Sequence, residues 1–201
     1  MRLGLYGGSF DPIHNGHLEP VVHAVEQLGL DRVLYLPTAN PPHKPERVFA
    51  PALRRLAMVE LALLDDERLQ VSDFELAAGP SFTIDTIEHF RSLMPGAELH
   101  LLIGADSLAE IESWRRPEGI VAAAHLAVLQ RPGWHRDAIL EKLSPGTRER
   151  LTGDRLTWID NPPLAISASE IRRRLGTGED VPPHWLPPSV LKYAVKYSLY
   201  S

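Results

Sequence analysis

Apolar positions along this chain fall into short runs separated by stretches with helical spacing. Residues 3–6 form the first run and end in Gly7-Gly8, the pattern of a buried strand entering a tight loop. From Gly16 onward, Leu18, Val21, Val22, Val25 and Leu28 recur at helical intervals, and Gly29 follows as a C-cap. Residues 33–36 form a second strand, stopped by Pro37. Strand, helix and strand of this length make a βαβ unit, which requires parallel strands and a right-handed crossover.

The alternation continues. Helical spacing over 52–64, 83–94, 111–121 (interrupted at Pro117) and 137–143 separates strands over 69–72, 99–103, 126–129 and 156–159. Residues 169–175 and 188–197 both have helical spacing and flank a proline-rich joint at 181–188. The pattern predicts an α/β fold, a Rossmann-like open parallel sheet with helices on both faces and a helical C-terminal segment from about residue 167. No repeat, low-complexity tract or linker divides it, so residues 1–201 read as one domain.

Ligands of such sheets bind beyond the carboxyl ends of the strands. The loops expected there, residues 7–16, 37–50, 104–116 and 130–134, carry most of the chain's chemically unusual residues.

Composition narrows the classes. The chain has 21 basic and 26 acidic residues, a formal charge of −5, so the basic excess of a nucleic-acid binder is missing. Without cysteine there is no disulfide, thiolate metal site or thiol nucleophile. No apolar run reaches a membrane span of about 18 residues, and Arg2 leads into glycine-rich sequence rather than a signal peptide. A cytoplasmic protein without nucleic-acid or membrane partners is expected; a homo-oligomer remains possible.

The first loop, Gly7-Gly8-Ser9-Phe10-Asp11-Pro12-Ile13-His14-Asn15-Gly16-His17, carries the strongest signal. Its glycines let backbone N–H groups approach a ligand, and the following helix N-terminus offers unpaired donors and a positive dipole end. If the helical turn begins at His14, His14 and His17 share one face. Such a pair suits a polyphosphate. The H-E-x-x-H zinc spacing, a Walker loop and the G-x-G-x-x-G pattern are all missing.

This segment resembles the HxGH signature of the nucleotidyltransferase superfamily, and GGSFDPIHNGHL is similar to the bacterial nicotinate-nucleotide adenylyltransferase family in particular. Further motifs follow in that family's order over residues 3–175. Residues 36–44, Leu-Pro-Thr-Ala-Asn-Pro-Pro-His-Lys, resemble its LPxxxPPHK loop, with Thr38 where Asn is common. Ile103-Gly104-Ala105-Asp106-Ser107-Leu108 with Trp114-Arg115-Arg116 resembles its IGADSL…W pattern. Ile166-Ser167-Ala168-Ser169-Glu170-Ile171-Arg172 resembles its I-S-S-T-x-I-R motif, with Ala168 in place of a hydroxyl residue.

The resemblance implies transfer of AMP from ATP to nicotinate mononucleotide, releasing pyrophosphate, with magnesium accompanying ATP and no metal held by the protein itself. It implies His14, His17 and Arg172 as catalytic residues. For ATP it implies Gly8, Ser9, Phe10, His43, Gly104, Asp106, Ile166, Ser167 and Ser169 besides those three. For the mononucleotide it implies Lys44, the helix start at Thr83, Asp106, Trp114, Arg115 and Arg131. The residue types fit these roles. Ser81 or Thr83 reads as an N-cap, Trp114 offers a stacking face, and Arg131 a bidentate fork for phosphate. Arg173 and Arg174 read as solvated helix face.

Overall fold

The computed structural model describes residues 1–39, 50–77, 82–151 and 155–201. Its elements run β1 (Arg2–Gly8), α1 (Asn15–Leu28), β2 (Arg32–Pro37), α2 (Ala52–Ala62), β3 (Leu69–Val71), α3 (Phe74–Ala77), α4 (Thr83–Leu93), β4 (Glu98–Gly104) and α5 (Ala105–Ala109). After a 3-10 turn (Ile111–Ser113) come α6 (Pro117–Ala123), β5 (His125–Leu129), α7 (Arg136–Lys142), α8 (Pro145–Arg150), β6 (Leu156–Ile159), α9 (Ala168–Thr177) and α10 (Pro188–Lys196). The six strands form one parallel sheet in the order β3-β2-β1-β4-β5-β6. The Rossmann-like expectation is met. Strand order reverses between β1 and β4, so a crevice opens where the chain leaves their carboxyl ends.

Alternation along the strands sorts the core into two layers. Tyr6, Val33, Tyr35, Leu102, Ala127 and Leu129 face one cluster with α1, α2 and α10. Leu3, Leu5, Leu34, Leu36, Leu101, Ile103, Leu126 and Val128 face the other with α4 and α6. Both faces are buried, which is why the strands read as continuous apolar runs. Each fully buried large side chain contributes about 1.5–3 kcal/mol of transfer free energy. Gly4 marks a close approach inside the sheet, since a Cβ there would lie 2.8 Å from Val33 Cγ2.

Several boundaries differ from the sequence expectation. Gly7 and Gly8 extend β1, paired with Leu36 and Pro37 of β2, which continues alongside them. The expected loop at 104–116 is largely helical, with α5 starting directly at the end of β4. The stretch 111–121 is a 3-10 turn and a separate α6, which restarts with Pro117 at its first position after Arg116 in the left-handed region. Gly29 closes α1 at φ 61°, as expected. None of the described helices is long and apolar enough to cross a membrane.

Candidate active site

The phosphate-binding candidates gather at the crevice between β1 and β4. After Gly8 the chain turns sharply through Phe10, a non-glycine residue at φ 45°. Such a conformation persists only when the surroundings hold it. They do here: the Phe10 ring is buried and meets Tyr6 at 5.5 Å and His17 edge-on at 5.3 Å. A Cβ on Gly8 would lie 2.9 Å from this ring, so the turn needs glycine. The Asp11–Pro12 peptide bond is cis.

His14 is the N-cap residue of α1, and the two imidazoles are stacked, with centroids 3.8 Å apart and planes at 29°. The shared face expected from their spacing is therefore formed. A Cβ on Gly16 would lie 3.0 Å from the His14 ring, which explains the glycine between them. The His14 N–H donates to His17 Nδ1 at 3.3 Å, so the proton of a neutral His17 sits on Nε2. His14 Nδ1 is buried with no hydrogen-bond partner. Burial pushes the His14 pKa down to about 3, helped by the positive charge of Arg131. Burial, then His14 and Arg131, hold His17 well below the ordinary histidine value, although part of its surface stays accessible. Both imidazoles are neutral at physiological pH.

The far wall comes from β4 and β5. A Cβ on Gly104 would collide with the Asp106 carboxylate, so glycine lets that carboxylate fold back over the strand end. Asp106 Oδ1 is buried without a hydrogen bond, 3.9 Å from Arg131 Nε. The turn carrying Arg131 is pinned by buried Asn161, whose Oδ1 accepts from the Gln130 N–H at 2.9 Å. Arg131 thus lies close enough to the histidines and Asp106 to act on all three electrostatically.

The third wall is the start of α9. Ser167 occupies the N-cap position, but its side chain makes no capping bond, and Ser169 lies inside the helix. The two serines are therefore not joint caps. Ser169 Oγ instead accepts from Arg172 at 3.0 Å, and Ile166 packs on the core beside Gly16. A second Arg172 nitrogen donates to the Asp11 carbonyl at 2.6 Å, fixing the guanidinium against the phosphate loop. Arg173 and Arg174 are not merely solvated, since both pair with Glu170 and reach Glu179.

A second group lies at the start of α4. Its N-cap is Phe82, not Ser81 or Thr83; Thr83 is the first helical residue, and Ser81 lies outside the described residues. A Thr at that position keeps its N–H among the unpaired donors of the first turn. Arg115 lies over the Phe82 ring at 4.6 Å and 3.7 Å from Asp85. Trp114 is half-buried against the second core cluster at the end of the 3-10 turn. His43 and Lys44 lie outside the described residues.

Sequence reasoning missed Arg55. It is buried in α2 and donates to four carbonyls: Ala50 at 3.1 Å, Ser9 at 2.6 Å, Thr38 at 2.7 Å and Ala39 at 3.0 Å. One guanidinium therefore ties the phosphate loop to the exit of β2. A signal was present, because Arg55 occupies the apolar stripe it shares with Met58 and Val59. Among the described residues, no group of three or more His, Asp and Glu side chains is placed to hold a metal ion.

A parallel sheet of this order, with a histidine pair at its first crossover and cations around the strand ends, defines a nucleotide-binding α/β domain. The cytidylyltransferase-like family model matches residues 5–174. The chain is 44% identical over 202 aligned positions, covering all of both chains, to a Solibacter usitatus protein named "Probable nicotinate-nucleotide adenylyltransferase". It is 40% identical over 201 positions, again covering both chains, to a Thermus thermophilus protein of the same name. The chain belongs to the nicotinate-nucleotide adenylyltransferase family within the cytidylyltransferase-like group. Its fold is that of the Plasmodium falciparum nicotinic acid mononucleotide adenylyltransferase solved with NaAD, with a TM-score of 0.80 at 23% identity, covering 99% of this chain and 97% of that one.

Proposed function

We propose that this protein transfers AMP from ATP to nicotinate mononucleotide, forming nicotinate adenine dinucleotide and pyrophosphate in NAD biosynthesis. The observation that carries the reading is the stacked, neutral His14–His17 pair at the β1/β4 crevice, bounded by Asp106, Arg131 and Arg172. It is a site rich in donors, as transfer between two anionic nucleotides requires. Family membership supports the same acceptor.

The attacking group is a phosphate oxygen of the mononucleotide. Its second pKa is about 6, so at neutral pH it is already anionic and needs no general base. The bond to the α-phosphorus forms as the bond to the pyrophosphate oxygen breaks, and pyrophosphate leaves with the electron pair. The protein's task is to hold two polyanions in line and stabilise charge on the α-phosphoryl oxygens and the leaving group. His17 Nε2–H, His14 and the amides near Gly8, Ser9 and Phe10 serve the α- and β-phosphates. Arg172, held by Ser169 and Asp11, serves the leaving end. Neutral imidazoles suit this role, because they donate hydrogen bonds without the cost of desolvating a charge.

Asp106, with its unpartnered buried oxygen, accepts from ribose hydroxyls. Thr83 N–H and Arg115 receive the nicotinate carboxylate, Trp114 stacks on the pyridine ring, and Arg131 holds the mononucleotide phosphate. His43 and Lys44 complete the phosphate contacts, and Gly104, Ile166 and Ser167 frame the adenosine. Magnesium arrives with the triphosphate, held by phosphate oxygens and water, as a hard cation that keeps its waters readily permits. We assign these roles to one domain spanning 1–201, working in the cytoplasm.

Pyrophosphate release with ATP and either nicotinate mononucleotide or its amide, measured side by side, tests the reading. Turnover with the acid form far exceeding that with the amide is expected. No pyrophosphate with either acceptor contradicts it.

A further inference from the structure

The segment following α10 returns to the phosphate loop and touches the residue that holds Arg172. Tyr200 Oη donates to Asp11 Oδ1 at 2.7 Å, across 189 positions of sequence. Asp11 is 1% exposed, and the same oxygen accepts from the Ala50 N–H at 3.1 Å. Its other oxygen, Oδ2, has no hydrogen bond and lies 3.7 Å from Arg172. The Asp11 carbonyl accepts from Arg172 at 2.6 Å. One buried aspartate thus faces Arg172 on one side and the Tyr200 hydroxyl on the other.

The approach is built into the neighbouring elements. Ser198 and Tyr200 both take positive φ, 48° and 75°, which bends the backbone back over α9. Two non-glycine residues in that region are held by their surroundings rather than by local preference. The Leu199 N–H closes on the Ala194 carbonyl at 2.9 Å, and Leu199 and Tyr200 pack against the first core cluster. On α9, a Cβ at Gly176 would lie 2.6 Å from the Tyr200 carbonyl oxygen. The helix carrying Arg172 therefore has a glycine where the returning backbone crosses it. Burial and the Asp11 carboxylate push the Tyr200 pKa up, so the hydroxyl keeps its proton and remains the donor.

We infer that Tyr200 is a positioning residue for phosphate binding: its hydrogen bond fixes the Asp11 carboxylate, and Asp11 in turn aims the Arg172 guanidinium at the phosphates. The inference rests on Arg172 serving the triphosphate, as proposed above. Tyr200 acts through Asp11, and Gly176 is the space that lets it do so.

The test is a double-mutant cycle on the full chain. Tyr200→Phe removes one hydroxyl and keeps the ring, so kcat/KM for ATP is expected to fall roughly tenfold, the typical effect of losing a hydrogen bond to a charged group. Gly176→Ala displaces the Tyr200 backbone while keeping the Tyr200 and Arg172 side chains, and a loss in the same direction is expected. In an Arg172→Lys background, Tyr200→Phe is expected to cost less than twofold further, because the group it positions has been replaced. A purely structural tyrosine would give the same fold loss in both backgrounds, and that additivity overturns the inference. So does wild-type kcat/KM in Tyr200→Phe. Turnover by the unmodified protein tests the proposed function separately. Should that fail, affinity for a non-hydrolysable ATP analogue reads the same cycle, and unchanged affinity in Tyr200→Phe overturns the inference.

Discussion

Among the described residues, two histidine pairs lie at opposite ends of the sheet, and they have different surroundings. His14 and His17 stack at 3.8 Å beyond the carboxyl end of β1. His100 and His125 are cross-strand neighbours on β4 and β5, with rings tilted at 47° and 4.9 Å apart. Burial depresses the pKa of His100 as it does those of His14 and His17. Two close imidazoles are therefore not themselves a site. The first pair stands at a helix N-terminus, beside a glycine-dependent turn and within the field of Arg131. The second is packed in the sheet, where His125 meets the Thr157 hydroxyl at 2.9 Å. Both ring nitrogens of His100 are buried, and its Nε2 lies 3.4 Å from a Glu98 carboxylate oxygen. Environment, rather than residue type, separates a phosphate cradle from packing.

The largest expected effect breaks the first pair. His17→Ala removes a donor aimed where charge develops, and kcat should fall by roughly 100- to 1,000-fold while KM for the mononucleotide changes little. Steady-state pyrophosphate release measures both, and near-wild-type kcat would remove His17 from the mechanism.

Trp114→Ala should raise KM for the pyridine nucleotide roughly five- to tenfold, in keeping with the loss of one aromatic stacking contact. ATP affinity should stay nearly intact. Titration of each substrate separately checks this, and the reverse pattern would exclude stacking at Trp114.

The pH dependence of stability sharpens the contrast. A histidine held neutral by burial takes up a proton more readily once unfolded, so its contribution is complete above about pH 6.5 and declines as pH falls toward the folded pKa. For His14 that window runs from 6.5 to about 3. Denaturant unfolding at pH 7, 6, 5 and 4 should show stability falling monotonically. His100→Leu removes one buried imidazole of lowered pKa away from the crevice, so it should flatten this decline and leave kcat unchanged. A steeper acid decline in His100→Leu, or lost turnover, would contradict the assignment of that pair to packing.

Local pattern carried most of the fold into view. Strands buried on both faces and helices with one apolar face announce themselves by period, and the run 156–159 matches β6 residue for residue. What escaped was short or polar. α5 begins with Ala-Asp-Ser, which also spells a turn, and α8 is Pro-Gly-Thr-Arg-Glu-Arg, without an apolar stripe. The histidine pair was legible because its members are three residues apart. Arg55, which binds Ser9 and Thr38, and Tyr200, which binds Asp11, were not, since such contacts join distant positions and leave no local period. Family resemblance pointed to Asp106 and Arg131; only the structure shows the buried carboxylate oxygen facing that guanidinium.

The most direct measurement is a crystal structure with a non-hydrolysable ATP analogue and nicotinate mononucleotide bound together. The triphosphate should lie in the β1/β4 crevice, with an α-phosphoryl oxygen within hydrogen-bond reach of His17 Nε2 and Arg172 at its far end. A triphosphate seated instead at the amino end of the sheet, among Arg91, His125 and Arg155, would contradict the account.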